Sequence, residues 1–127
     1  MEALASKITN SELEIMRTLW KAEAELSVTD IRKALISTSE WENSTIKTLL
    51  RRLCEKGVVM ATKRDVFYYR AMVSEKEYNE YSTQSLIDRL FSGSAKNLVA
   101  SLLGSRMLAA DDIEELRSMF KVGEDNE

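Results

Sequence analysis

Apolar residues recur every three or four positions through most of this chain, and in one stretch they give way to a denser run of branched and aromatic side chains. Leu13, Met16, Leu19 and Trp20 share one helical face, and Thr9 with Glu12 has the spacing of a capping box, so a first helix is expected from about Asn10 to Ala22. Ser27 and Asp30 repeat the signal, and Val28, Ile31 and Leu35 carry a second helix to about Thr38. Asn43 is expected to cap a third helix, STIKTLLRRLCEK, which Gly57 closes in a left-handed conformation. VVMATKR and VFYYRAM then read as two antiparallel strands about a charged Lys63-Arg64-Asp65 turn. A helix from Ser74 to Gly93 follows, then a short one after Ser94 with Leu98, Val99, Leu102 and Leu103. The last runs from Asp111 to Phe120, ahead of a frayed acidic GEDNE tail.

Composition narrows the chemistry. With 127 residues, 44% hydrophobic and 31% charged, the chain suits one globular domain or two small ones. It has no His, so imidazole-based catalysis is excluded, and its single Cys54 excludes an internal disulfide or a Cys-rich zinc site. Glu12 with Glu14, and the Asp111-Asp112-Glu114-Glu115 run, are accounted for by capping and helix dipoles. No catalytic residue, metal or cofactor is expected. The opening MEALASKITNSELEIM lacks a basic-then-apolar leader, and no apolar run approaches the roughly 18 residues a membrane span needs, so a cytoplasmic protein without membrane insertion is expected.

Charge is unevenly distributed. The net charge is −3, yet from Ser44 to Arg70 seven cations face two acids for a local +5, leaving −8 on the remainder. A compact basic zone on an acidic body suits one face that meets phosphate; a solvated helix beside a lysine-bearing hairpin is the plainer alternative. Ile46, Leu49, Leu50 and Leu53 fall on one arc of the third helix. Ser44, Thr48 and Arg51 fall on the opposite arc, with Lys47 and Arg52 on its shoulders and Thr45 nearer the core edge. Short hydroxyls at the start and long cations behind them suit a helix inserted in a major groove. Two helices, this third one and a hairpin form the order of a winged helix-turn-helix, with Lys63 and Arg64 at the wing tip; Val58, Val66 and Phe67 could alternatively serve only to seal the core.

The segments ITNSELEIMRTLW, WENSTIKTLLRRLCEKG, the Tyr68-Tyr69 strand and DDIEELRSMF resemble the BlaI/MecI/CopY family of transcriptional repressors, on its penicillinase repressor branch. The resemblance implies a mainly α fold with a small β-hairpin wing: a winged-helix DNA-binding domain over residues 1–73, then a helical dimerisation domain over 74–127. It implies a homodimer on a palindromic double-stranded operator, with Ser44, Thr45 and Lys47 at DNA-contacting positions and Arg51 as a further backbone contact. Ser44 stands where penicillinase repressors tend to have Lys, and Lys47 where Arg is frequent, so base preference is expected to differ. β-Lactam resistance is the context this branch suggests. The CopY-type tail cysteines are missing from GEDNE, so copper sensing by that route is not expected.

Leu86, Leu90, Leu98, Leu102, Ile113, Leu116 and Phe120 exceed what a small helical extension could hide within itself, and they are assigned to a subunit interface. The resemblance further implies a membrane sensor-protease as partner, with cleavage at Ser101-Leu102 relieving repression. The competing class is an acidic helical protein-interaction adaptor without DNA-binding activity.

Overall fold

The computed structural model describes residues 7–36 and 39–125. Its elements are α1 (Asn10–Ala22), α2 (Val28–Leu35), α3 (Asn43–Glu55), β1 (Val59–Lys63), β2 (Phe67–Ala71), α4 (Glu75–Phe91), α5 (Ala95–Gly104) and α6 (Ala110–Asp125). The chain divides into two compact units, Met1–Ser82 and Thr83–Glu127, so α4 begins in the first and ends in the second.

The first unit is built around one core. Ile15, Met16 and Leu19 of α1, Ile31 and Leu35 of α2, and Ile46, Leu49, Leu50 and Leu53 of α3 are buried together with Val58, Val59 and Val73. Reciprocal capping boxes start α1 at Thr9 and α2 at Ser27, as the spacing predicts. The third helix differs: its N-cap is Glu42, which makes no side-chain cap bond, and Asn43 is already the first helical residue. The Glu42 carboxylate instead lies 3.6 Å from Arg32, an ion pair that joins the end of α2 to the start of α3. Gly57, at φ 79°, ends α3 in a Schellman motif, with Val58 N–H donating to Leu53 C=O at 3.2 Å and Gly57 N–H to Cys54 C=O at 3.0 Å.

A buried carboxylate ties α1 to the far end of α3. Glu12 is fully buried, and its Oε1 accepts from Thr9 N–H at 2.8 Å and from Lys56 Nζ at 2.6 Å, while Oε2 has no protein partner. Lys56 also donates to the Lys7 carbonyl at 2.5 Å. Burial alone would push the Glu12 carboxyl up; the Lys56 bond and the Thr9 donors outweigh it and hold the group below its usual 4.5.

The hairpin pairs Val59 with Ala71 through Lys63 with Phe67. Its strands are shorter than expected, and the turn is Arg64-Asp65-Val66, closed by Arg64 N–H donating to Val66 C=O at 3.0 Å. Lys63 is therefore the last residue of β1 rather than part of the turn. Leu26 adds an isolated bridge beside β2, its N–H donating to Tyr69 C=O at 2.9 Å and its C=O accepting from Tyr69 N–H at 2.8 Å. Trp20 Nε1 donates to Val73 C=O at 2.8 Å, which fastens the chain leaving β2 onto α1. Val58 seals the core as expected, but Val66 and Phe67 are about half exposed and do not.

In the second unit, Ile87 is the one buried side chain among those described. Two boundaries depart from expectation. α2 stops at Leu35, where Ser39 N–H donates to Leu35 C=O at 2.7 Å and Ser39 Oγ to Glu14 at 2.7 Å, turning the chain; Ser37 and Thr38 lie outside the described residues. α6 begins at Ala110 and carries through Gly123 to Asp125, so the expected frayed tail is helical there, and its last two residues lie outside the description.

Lys56→Ala strands the Glu12 carboxylate and is expected to lower stability by about 2 to 3 kcal/mol, less than for a fully enclosed pair because the Lys56 side chain keeps 22% exposure. Because the folded carboxyl is held below 4.5, the stabilisation is present above that pH and is lost as pH falls through the folded value. In denaturant titrations the gap between wild type and variant should narrow below pH 4.5. A gap independent of pH would show that the pair does not act as described.

Candidate nucleic-acid interface

Burial of Ile46, Leu49, Leu50 and Leu53 turns the opposite side of α3 outward. Ser44, Thr45, Lys47, Arg51 and Arg52 are exposed, and Thr48 is half-buried. The Thr48 hydroxyl donates to the Ser44 carbonyl at 3.0 Å, so its donor is spent within the helix and it presents its methyl and lone pairs. Ser44, Thr45, Thr48 and Arg52 border a shallow depression of about 240 Å³ on one flank. Arg51, largely exposed, lies 3.3 Å from Glu55 one turn on, an ion pair weak enough to exchange.

On the other flank, Lys47 and Asn43 face the wing. They line a cleft of about 400 Å³ together with Thr29 at the start of α2 and Lys63, Val66 and Phe67 of the hairpin. Lys63 lies 5.7 Å above the Phe67 ring, and Phe67 is 47% exposed, so this wall offers both an apolar surface and a cation. Strand alternation sets the placement: Lys63 and Phe67 are cross-strand partners on the face shared by Tyr69, which packs against the core.

The formal +5 is reduced by the fold. Lys56 is committed to Glu12. Arg64 does not join Lys47 and Lys63 in this structure; its guanidinium is ion-paired with Glu25 and lies 5.1 Å over the Tyr68 ring. It borders a separate hollow of about 710 Å³, lined also by Trp20, Glu25, Thr62 and Arg70 and by no residue of α3. Asp65, beside Tyr68, pushes its phenol upward, with burial adding to the shift. Burial, together with neighbouring Glu55, likewise raises the Cys54 thiol, as suits a packing group rather than a thiolate.

Sequence reasoning did not single out Thr29, Asn43, Val66 or Phe67 for the cleft, nor Glu25 as the partner of Arg64. Glu25 is set by the Leu26–Tyr69 bridge next to it, and a bridge one residue long leaves no alternation to read; the cleft residues come together only where α2, α3 and the hairpin meet.

Of the residues assigned to a subunit interface, Leu90, Leu116 and Phe120 are exposed, at 61%, 50% and 72%, while Leu86, Leu98, Leu102 and Ile113 are half-buried. Val99, Leu103, Met107 and Met119 are exposed as well. The Ser101-Leu102 peptide lies inside α5. Among the described residues no helix is long and apolar enough to cross a membrane.

The sequence model of the penicillinase repressor family matches residues 8–121. The penicillinase repressor of Bacillus licheniformis is 32% identical over 116 residues, covering 91% of this chain and 90% of that protein. The methicillin resistance regulatory protein MecI of Staphylococcus aureus is 28% identical over 121 residues, covering 94% and 98%. A solution structure of the DNA binding domain of the repressor BlaI aligns at 36% identity with a TM-score of 0.50, covering 57% of this chain and 88% of that one. On this agreement across nearly the whole length, the chain belongs to the penicillinase repressor family.

Proposed function

We propose that the chain is a homodimeric transcriptional repressor that reads a palindromic operator through α3 and braces on the flanking backbone with its wing. The observation that carries this reading is the outward face of α3, clear of the core and continuous with the Lys47–Lys63 cleft. Ser44, Thr45 and Lys47 sit at the leading end to meet base edges; Arg51, Arg52 and Lys63 reach phosphates; Arg64 joins them only after leaving Glu25. The relatives, a penicillinase repressor and the DNA binding domain of the repressor BlaI, support the same direction.

Residues 1–73 serve as the DNA-binding domain and 74–127 as the dimerisation domain. Leu86, Leu90, Leu98, Leu102, Ile113, Leu116 and Phe120 meet a second copy, which supplies the core that the second unit lacks. Two recognition helices related by a two-fold axis address half-sites about 10 bp, or a multiple of that, apart. Linked halves gain effective concentration, so cutting at Ser101-Leu102 releases the promoter without altering a DNA contact. On this reading a membrane sensor-protease makes the cut in the cytoplasm. Because the peptide is helical, α5 must open locally before a protease can act.

Selection of bound duplexes from a random-sequence pool should recover inverted repeats, and log affinity should fall linearly with log salt by about 0.9 per neutralised phosphate. Arg51→Ala and Lys63→Ala should each flatten that slope by about 0.9 per contact, and Lys47→Ala should also change the recovered sequence. A pool that enriches nothing, with no salt-sensitive retention on DNA, overturns the reading in favour of a protein-binding adaptor.

Truncation after Ser101 should leave a folded winged-helix unit that sediments as a monomer and binds the selected duplex far more weakly than the full chain. Equal affinities would separate repression from dimerisation.

A further inference from the structure

We propose that Glu25 is an intramolecular stand-in for DNA phosphate: it holds Arg64 against the outer side of the wing, and operator binding must exchange that carboxylate for a phosphate. The inference rests on the DNA-binding reading and adds to it a residue that sets affinity without touching DNA.

The geometry points this way on three counts. Arg64 occupies the hairpin turn, at the tip of the wing, where a cation meets the backbone of a duplex seated on α3. Yet its guanidinium is ion-paired with Glu25 and laid over Tyr68, beside the hollow that no α3 residue borders. Glu25 cannot drift away, because the next residue, Leu26, is bonded through both its backbone groups to Tyr69. The Glu25 side chain is 26% exposed and that of Arg64 55%, so an incoming phosphate reaches the guanidinium while the carboxylate stays behind it.

A carboxylate and a phosphate can each accept a charge-assisted, bidentate pair of hydrogen bonds from guanidinium. Exchange therefore loses one ion pair for each one gained, while the counterion of the phosphate is still released, because condensed counterions belong to the DNA and a lone carboxylate holds no comparable ion. The wing thus contributes less affinity than its sequence suggests, which keeps binding reversible and leaves selectivity to α3.

The test is a binding titration of the full-length chain against a labelled mixed-sequence duplex, over a range of salt, for wild type, Glu25→Gln, Arg64→Ala and the double variant. Glu25→Gln should tighten binding about two- to fivefold per subunit, the effect of an exposed ion pair expressed as a ratio. The salt slope should change by much less than the roughly 0.9 of a whole contact, because Arg64 neutralises a phosphate in both proteins. The gain should vanish in the Arg64→Ala background, and Glu25→Ala should reproduce it. A gain that persists without Arg64 would mean that Glu25 merely repels DNA through its field, and the inference falls; unchanged affinity in Glu25→Gln also overturns it, as does a slope steeper by a whole contact, which would mean that Arg64 stays on Glu25 in the wild-type complex. Thermal melts of each variant separate these outcomes from a loss of fold. If wild type shows no salt-sensitive binding, the DNA reading itself fails and the inference with it.

Discussion

Ile46, Leu49, Leu50 and Leu53 leave water together on one side of α3, and nearly every functional statement about this protein descends from that burial. Fully burying one such side chain contributes about 1.5 to 3 kcal/mol, so the four set the helix's rotation against α1 and α2 far more firmly than any surface ion pair could. Once the rotation is set, the positions of Ser44, Lys47 and Arg51 on the free side follow from helical geometry. The Schellman turn at Gly57 then delivers Val58 and Val59 into the same core, which brings the hairpin alongside the helix.

Charge follows a different logic, because ion pairs are decided by which side chains the fold brings within reach. A count along the chain assigns the central segment seven cations. In the folded chain Lys56 is consumed in holding the end of α3 to the start of α1, and Arg64 is turned onto Glu25. What remains directed at one surface is a smaller set, Lys47 and Lys63 across a cleft with Arg51 and Arg52 farther round the helix. On the proposed reading such a set favours binding that remains sensitive to what lies in the groove, because a backbone-dominated contact would hold any duplex about equally well.

The second unit poses the reverse problem. Its helices have regular caps, with Ser94 accepting from Asn97 N–H and Asp112 from Ala109 N–H, yet Ile87 is the one described side chain it buries. Leu90, Leu103, Met107, Leu116 and Phe120 remain open to solvent in the single chain. An extension so well formed locally and so poorly closed is what the proposed homodimer would cover, each copy completing the core of the other.

Periodicity and capping chemistry are local, so the amino-acid order by itself determined the helices, the hairpin, the family resemblance and the two-faced character of α3. It also located the left-handed turn at Gly57, because Leu53 through Val58 carry the whole motif. It misplaced the cap of α3, since Glu42 is drawn off by Arg32 from another helix, and it overran α2, since Ser39 is held by Glu14. The tertiary structure alone decided which cations are free, that Leu26 adds a bridge to the wing, and that Glu12 lies buried beneath Lys56. Each of these is a contact between residues distant along the chain, and its energy exists only after the core has brought them together.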